Sequence, residues 1–178
     1  MTLDGFVAGP NGELDWIWIG KRDNSIFQRV IELADTCDMI LLGRKMTGEF
    51  VNHWENVLDN QSESAEHPLA QRMVGMRKIA FSRTQTSIKG RNIEVESGDL
   101  VATVNALKKQ PGKDIIVYGG ATFASSLISN NLVDEYYIFR RPVAIGNGLS
   151  IFKTRTTLEH DSSVIYNNGT ILSKYVPA

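Results

Sequence analysis

Three short stretches of this sequence carry groups suited to binding anions. Gly43-Arg44-Lys45 joins a glycine to two cations, Ser82-Arg83-Thr84 sets a guanidinium between two hydroxyls, and Gly119-Gly120-Ala121-Thr122 pairs two glycines. A guanidinium grips a phosphate through paired N–H donors, and a hydroxyl adds another donor. Glycine lets the backbone approach an anion and tolerates positive φ. Where such a stretch opens a helix, free backbone N–H groups and the positive end of the helix dipole favour phosphate. Each stretch also has a plainer reading, as a solvated basic loop or a glycine-rich turn. A lone Gly-Gly is a weaker sign than a full dinucleotide fingerprint.

The elements that must position these groups follow from the hydrophobic pattern. Ile115 to Tyr118 is a short apolar run of β-formers, and a helical pattern with Phe123, Leu127 and Ile128 follows the glycines. Asp38 to Leu42 reads as a buried strand ending at Gly43, and Arg77 to Phe81 as a strand ending at Ser82. Ile26, Phe27, Val30, Ile31 and Ala34 form a helical stripe over Asn24 to Ala34, with Asp23 or Asn24 as N-cap. Short helices are predicted from Lys45 to Phe50 and from Pro68 to Gly75, the latter with proline in its first turn. Asn92 to Glu96 is a weaker strand, and Asp99 caps a helix that ends before Pro111-Gly112. Val133 to Phe139 is strand-like, and Asn167-Asn168-Gly169 between Ser163–Tyr166 and Thr170–Tyr175 signals a hairpin.

Strand and helix thus alternate through two-thirds of the chain, and strands alone follow. The expectation is one three-layer α/β domain over residues 1–178, with a mainly parallel central sheet, helices on both faces and an antiparallel C-terminal hairpin edge. In an open α/β sheet, ligands bind beyond the carboxyl ends of the strands. If the three strands are parallel, all three anion-binding stretches share one edge. Two cationic clusters and a glycine-rich helix start would suit two separated phosphate groups. A dinucleotide with an additional 2′-phosphate meets that demand.

Other chemistries find little support. The 178 residues are 42% hydrophobic and 22% charged, with net charge −1, an ordinary globular composition without the positive footprint of a nucleic-acid binder. The single cysteine, Cys37, excludes an intrachain disulfide framework and a CxxC metal or redox site, and fits a reducing compartment; a cytoplasmic location is expected. No apolar run reaches membrane-spanning length, and the N-terminus lacks a signal-peptide pattern. His53, His67 and His160 stand at no metal-ligand spacing, so no metal site is expected. There is no GxSxG elbow and no P-loop. Asp134 and Glu135, as neighbours in a strand, would point to opposite faces and cannot form a dyad. Leu14, Trp16, Ile17, Trp18 and Ile19 follow the Gly9-Pro10-Asn11-Gly12 turn and either plug the core or cover a flat ligand.

An ordered set of motifs also carries a family resemblance. It comprises Leu3-Asp4-Gly5-Phe6-Val7-Ala8, Leu41-Leu42-Gly43-Arg44-Lys45, Phe81-Ser82-Arg83-Thr84, Val117-Tyr118-Gly119-Gly120, Leu132-Val133-Asp134-Glu135, and Pro142 through Gly146-Asn147-Gly148 to Phe152. Together they span nearly the whole chain. The chain resembles the dihydrofolate-reductase-like superfamily, and more closely the reductase domain of bacterial riboflavin biosynthesis and its stand-alone relatives. The resemblance implies an NADPH-dependent oxidoreductase acting on a pteridine or aminopyrimidine-type substrate, similar to 5-amino-6-(5-phosphoribosylamino)uracil reductase, and commonly a homodimer. It implies a 2′-phosphate and neighbouring phosphates near Arg44, Lys45, Ser82 and Arg83, with Gly43, Thr47 and Thr84 also at the cofactor, a pyrophosphate on Gly119, Gly120, Ala121 and Thr122, and a nicotinamide beside Val7 and Ala8. Trp16, Phe27 and Trp54 would wall the substrate. Asp23 is the candidate proton donor, with water as the other source. Arg140 and Arg141 are candidates for a substrate ribose phosphate.

Two departures stand out. The family often reads Gly-Arg-x-Thr-Tyr-Glu, but here Met46 replaces the phosphate-contacting hydroxyl, leaving Thr47 as its expected substitute. The family's first strand also begins several residues before the Asp-Gly, so part of it is expected to be absent. Both favour an alternative reading, a non-catalytic nucleotide- or flavin-binding protein on the same fold.

Overall fold

The computed structural model describes residues 1–21 and 23–178. In chain order, a 3₁₀ turn (Asp15–Trp18) precedes α1 (Asn24–Asp35), β1 (Cys37–Gly43), α2 (Arg44–Asn60), α3 (His67–Gly75), β2 (Arg77–Phe81) and β3 (Ile93–Glu96). Then come α4 (Leu100–Lys108), β4 (Asp114–Gly119), α5 (Ala121–Ser129), β5 (Tyr136–Arg140), β6 (Leu158–Ile165) and β7 (Ile171–Pro177). The fold class matches the sequence expectation: α/β in three layers, with a mainly parallel central sheet, helices on both faces and an antiparallel C-terminal hairpin. The chain divides into two compact units, residues 28–123 and residues 1–27 with 124–178.

The first unit is built on a four-stranded sheet in the order β3-β2-β1-β4, all pairs parallel. Its central strand reads Met39-Ile40-Leu41-Leu42, all buried, as a parallel strand covered on both faces must be. Phe50, Val51 and Val57 of α2 and Leu69, Ala70, Met73 and Val74 of α3 complete that core, and α2 packs on α3. The α2 helix corrects the expectation of a short helix ending at Phe50. Phe50, Val51, Trp54 and Val57 continue an apolar stripe at helical spacing, and the helix runs to Asn60. Asp99 caps α4 as its residue type predicts, accepting the Ala102 N–H at 2.8 Å.

A buried cation holds the end of α3. Lys78 is 2% exposed, and its ammonium donates to the carbonyls of Met73, Val74 and Met76 at 2.9, 2.9 and 2.8 Å. Asn92, at φ +52°, adds donors to Val74 and Gly75. The last carbonyls of a helix have no intrahelical partner. Here two side chains supply donors that solvent would otherwise provide.

The second unit carries a three-stranded antiparallel sheet, order β5-β7-β6. Its hairpin closes at Asn167-Asn168-Gly169 as expected, with Gly169 at φ +80°. Strand β6 begins at Leu158, earlier than the sequence pattern suggests, because its face is exposed and polar. Its register against β7 shifts between His160 and Ser162, a bulge at the sheet edge. Strand β5 starts at Tyr136, so Asp134 and Glu135 precede it rather than alternating within it, and Glu135 pairs with Lys174 at 2.8 Å. The opening segment forms no strand among the described residues. It is turn-rich, with one bridge between Ala8 and Leu149.

Candidate functional site

The β1–β2 and β1–β4 registers decide which residues share an edge in the first unit. Gly43, the last residue of β1, pairs with Phe81, the last of β2, and Leu42 pairs with Gly119, the last of β4. Arg44, Ser82 and Gly120 are therefore each the first residue beyond their strands. They emerge along one edge, at the ~4.8 Å spacing of neighbouring strands. The α2 helix starts at that edge with Arg44, and α5 starts there with Ala121.

Electrostatics favours an anion on this rim. Neither α2 nor α5 has an acidic residue in its first turn, and the α2 N-cap, Gly43, offers no side-chain acceptor. The first turn of α2 instead begins with Arg44 and Lys45, cations at the positive end of the dipole. Arg44, Lys45, Arg83 and Thr84 are exposed. Among the described residues, none of the three cations is engaged in an ion pair or side-chain hydrogen bond. Gly120, at φ +77°, has open space where a Cβ would project, so the backbone there is approachable. A phosphate-bearing cofactor fits this donor set.

Other rim residues shape the edge. Ser82 is buried, and its hydroxyl accepts the N–H of Thr84 at 3.2 Å and of Gln85 at 2.9 Å, folding the turn that presents Arg83. A Cβ on Gly43 would lie 2.7 Å from Phe123 Cβ, so only glycine lets α5 cross there. The Phe123 ring stands 5.1 Å from that of Phe81 and braces the two strand ends. At Gly119, φ is +130°, and a Cβ would collide with the Met46 sulfur. Thr122 is exposed beside Ala121 at the start of α5.

Thr47 does not take the place of the missing hydroxyl. It is fully buried, and its Oγ1 donates back to the Gly43 carbonyl at 3.0 Å, a bond internal to α2. Trp54 lies ten residues beyond Arg44, about 15 Å along α2. It belongs to an aromatic cluster with His53 (4.7 Å between centroids) and Phe50 (6.2 Å), and Phe50 also touches Tyr118. Burial pushes the Tyr118 hydroxyl up to about 12.

Val7, Ala8, Trp16, Asp23 and Phe27 belong to the second unit. Val7 donates its N–H to Leu149 at 2.8 Å, and Ala8 accepts from Leu149 at 2.9 Å. Trp16 is buried, with its indole N–H lacking a partner among the described residues, whereas Trp18 and Ile19 are exposed. Phe27 is half-buried. Asp23 accepts from the Ser25 N–H and hydroxyl through one oxygen, and from the Asn167 N–H at 3.0 Å through the other. It thereby caps α1 and ties the hairpin turn. The Ser25 hydroxyl, aided by those backbone donors, holds its carboxyl below the usual aspartate range.

Asp4 has a comparable role. Its carboxylate accepts from Ile145 at 3.0 Å and Gly146 at 2.7 Å, fixing the Gly146-Asn147-Gly148 turn against the start of the chain. A cavity of about 270 Å³ in this unit is lined by Leu3, Ile138, Arg140, Phe152, Leu158 and Tyr175, among others. Of the residues put forward from sequence for cofactor or substrate, Arg140, a candidate for a ribose phosphate, lines it, and the others do not. Arg141 instead donates to the Ile19 carbonyl.

Comparison with known proteins agrees with this architecture. The family model for the RibD C-terminal domain matches residues 1–172. YyaP of Bacillus subtilis is 34% identical over 98% of this chain and 90% of its own length. The riboflavin biosynthesis protein RibD of Corynebacterium ammoniagenes is 27% identical over 84% of this chain, but only 43% of its own length is covered. A crystal structure of a putative riboflavin biosynthesis protein from Shewanella sp. PV-4 superposes with a TM-score of 0.73 at 19% identity, covering 100% of this chain and 95% of that one. The Thermotoga maritima diaminohydroxyphosphoribosylaminopyrimidine deaminase/5-amino-6-(5-phosphoribosylamino)uracil reductase gives 0.66 at 17% identity, with 99% of this chain and 54% of that one covered. With the parallel sheet, the shared strand ends and these matches in hand, the chain belongs to the RibD C-terminal domain family, on a dihydrofolate-reductase-like fold.

Proposed function

We propose that this chain is an NADPH-dependent reductase of a pteridine or aminopyrimidine-type substrate. The observation that carries the reading is the common edge of β1, β2 and β4, which gathers Arg44, Lys45, Arg83 and the Gly119–Gly120 turn where two helices begin without acidic residues. Arg44 and Arg83 would hold the 2′-phosphate, with Lys45, Ser82 and Thr84 beside them. The backbone N–H groups of Gly120, Ala121 and Thr122 would hold the pyrophosphate. Val7 and Ala8 would border the nicotinamide, and Trp16, Phe27 and Trp54 the substrate. When bound, the cofactor supplies hydride. The chain's own task is to position the two reactants and exclude water.

The proton comes from water in this reading. Asp23, the other candidate, is held ionised by its Ser25 and Asn167 partners and is a poor acid at neutral pH. A single cooperative domain, a homodimer and a cytoplasmic location accompany the proposal. Unfolding curves, light scattering and cell fractionation test these three.

A second reading, a nucleotide- or flavin-binding protein without turnover, draws on Met46 and on the sequestered Thr47 hydroxyl. Thermal shift with NADPH, NADH and flavins, followed by NADPH oxidation across pteridines and aminopyrimidines, separates the two. Stabilisation by NADPH above NADH, with oxidation, supports the reductase. Stabilisation without oxidation supports the binder, and no shift with any nucleotide defeats both.

A further inference from the structure

Met46 is the third residue of α2, and its sulfur packs directly on Gly119, on the side where a Cβ would stand. One residue on, Gly120 is open to solvent. The glycine turn is thus closed by a thioether at its first position and accessible at its second. The chain has five methionines. Met39, Met73 and Met76 are buried, and Met1 belongs to the other unit. Met46 is half-buried and is the most exposed methionine of the first unit.

The geometry points to Met46 as a peroxide-sensitive modification site that controls anion binding at the Gly119–Gly120 turn. The inference rests on the reading of that turn as a pyrophosphate cradle. A hydroperoxide transfers one oxygen to the thioether: its O–O bond breaks, an S–O bond forms, sulfur gives up two electrons, and the second oxygen leaves as water (or an alcohol). The product is a polar sulfoxide carrying partial negative charge on oxygen. It no longer fits the close contact with Gly119, and it sets a dipole of the wrong sign beside an anion. A methionine sulfoxide reductase restores the thioether: two thiols supply the two electrons and become a disulfide, the S–O bond breaks, and the oxygen leaves as water. Cys37, the only thiol, is a separate target whose thiolate fraction burial lowers, and Met46→Leu retains it, so that variant reads out any effect of its oxidation.

The test treats the full chain with dilute hydrogen peroxide, maps methionine oxidation by peptide mass, and measures the Kd for NADPH before and after. Met46 is expected to oxidise ahead of Met39, Met73 and Met76, and inorganic pyrophosphate to slow it. The Kd should rise roughly fivefold or more on oxidation and return on reduction. Met46→Leu, compared with its own untreated sample, should show no such rise. Oxidation of Met46 no faster than of the buried methionines overturns the inference, as does an equal peroxide effect in Met46→Leu. Absence of NADPH binding by the untreated protein defeats the functional reading instead.

Discussion

The ammonium of Lys78 lies 2.8 Å from the carbonyl oxygen of Met76, inside the protein rather than at its surface. Burial lowers its pKa to about 8, against the opposing pull of Glu55. The unfolded chain therefore binds more protons between about pH 8 and the ordinary lysine value of about 10.4. The penalty for burying the charge is fully present below pH 8 and is relieved as pH rises through that window. Denaturant midpoints of the wild type should rise over this range relative to those of Lys78→Met. At neutral pH, Lys78→Met should cost about 1–3 kcal/mol, because it strands buried carbonyls. Parallel pH slopes for the two proteins would contradict the assignment.

Asp4 should act in the opposite direction at acid pH. Its carboxyl is held below the usual range chiefly by the Thr2 hydroxyl, with the Gly146 and Ile145 N–H groups contributing. A depressed folded pKa gives stability that is present above the unfolded value of about 3.9 and lost as pH falls through the folded one. Urea midpoints from pH 7 to pH 2 should fall less steeply in Asp4→Asn than in the wild type, from a lower starting value.

Arg44→Ala should weaken NADPH by roughly ten- to hundredfold, the effect of a lost charge-assisted hydrogen bond. NADH, which lacks the 2′-phosphate, should be affected much less. Calorimetry on both nucleotides checks this, and equal losses would move the 2′-phosphate away from Arg44.

Gly119→Ala should destabilise the fold by about 1–3 kcal/mol, since φ is +130° there and the new methyl meets Met46. For a chain of this size that corresponds to a Tm lower by about 2–12 °C. Shortening the neighbour in Gly119→Ala/Met46→Ala should relieve the collision but not the backbone strain. A double variant no better than Gly119→Ala would remove the steric part of the argument.

Asp23→Ser keeps a capping hydroxyl and removes the carboxylate. With water as proton source, the kcat-against-pH profile should keep its shape while Tm falls through the lost Asn167 tether. A large loss of kcat with unchanged KM and Tm would restore Asp23 as the acid.

Much of this was legible in the sequence because the signals were local. The strand ends at Gly43, Phe81 and Gly119 follow from apolar runs interrupted by glycine or polar residues, and parallel pairing brings them to one edge. Asp99 and Asp23 announced themselves as caps by type and position. Non-local packing was not legible. The contact of Met46 with Gly119 joins residues 73 apart in sequence, and the donation of Lys78 to the end of α3 reverses the usual exposure of lysine. The expectation for Thr47 failed because a hydroxyl in a helix can bond its own preceding turn, which residue type alone does not reveal. The reach of α2 was underestimated because polar His53 and Asn52 interrupt a stripe that only its burial against β1 and α3 makes continuous.

The register shift at His160 and Ser162 has a bearing on how the purified protein should behave. An outer strand with a regular backbone offers neighbouring molecules an unbroken ladder to extend. The kink in β6 breaks that ladder midway, so chains meeting side by side can match only a few rungs before falling out of step. Concentrated solutions should therefore resist fibre growth through this hairpin, and excising Asp161 to straighten the strand should remove the protection.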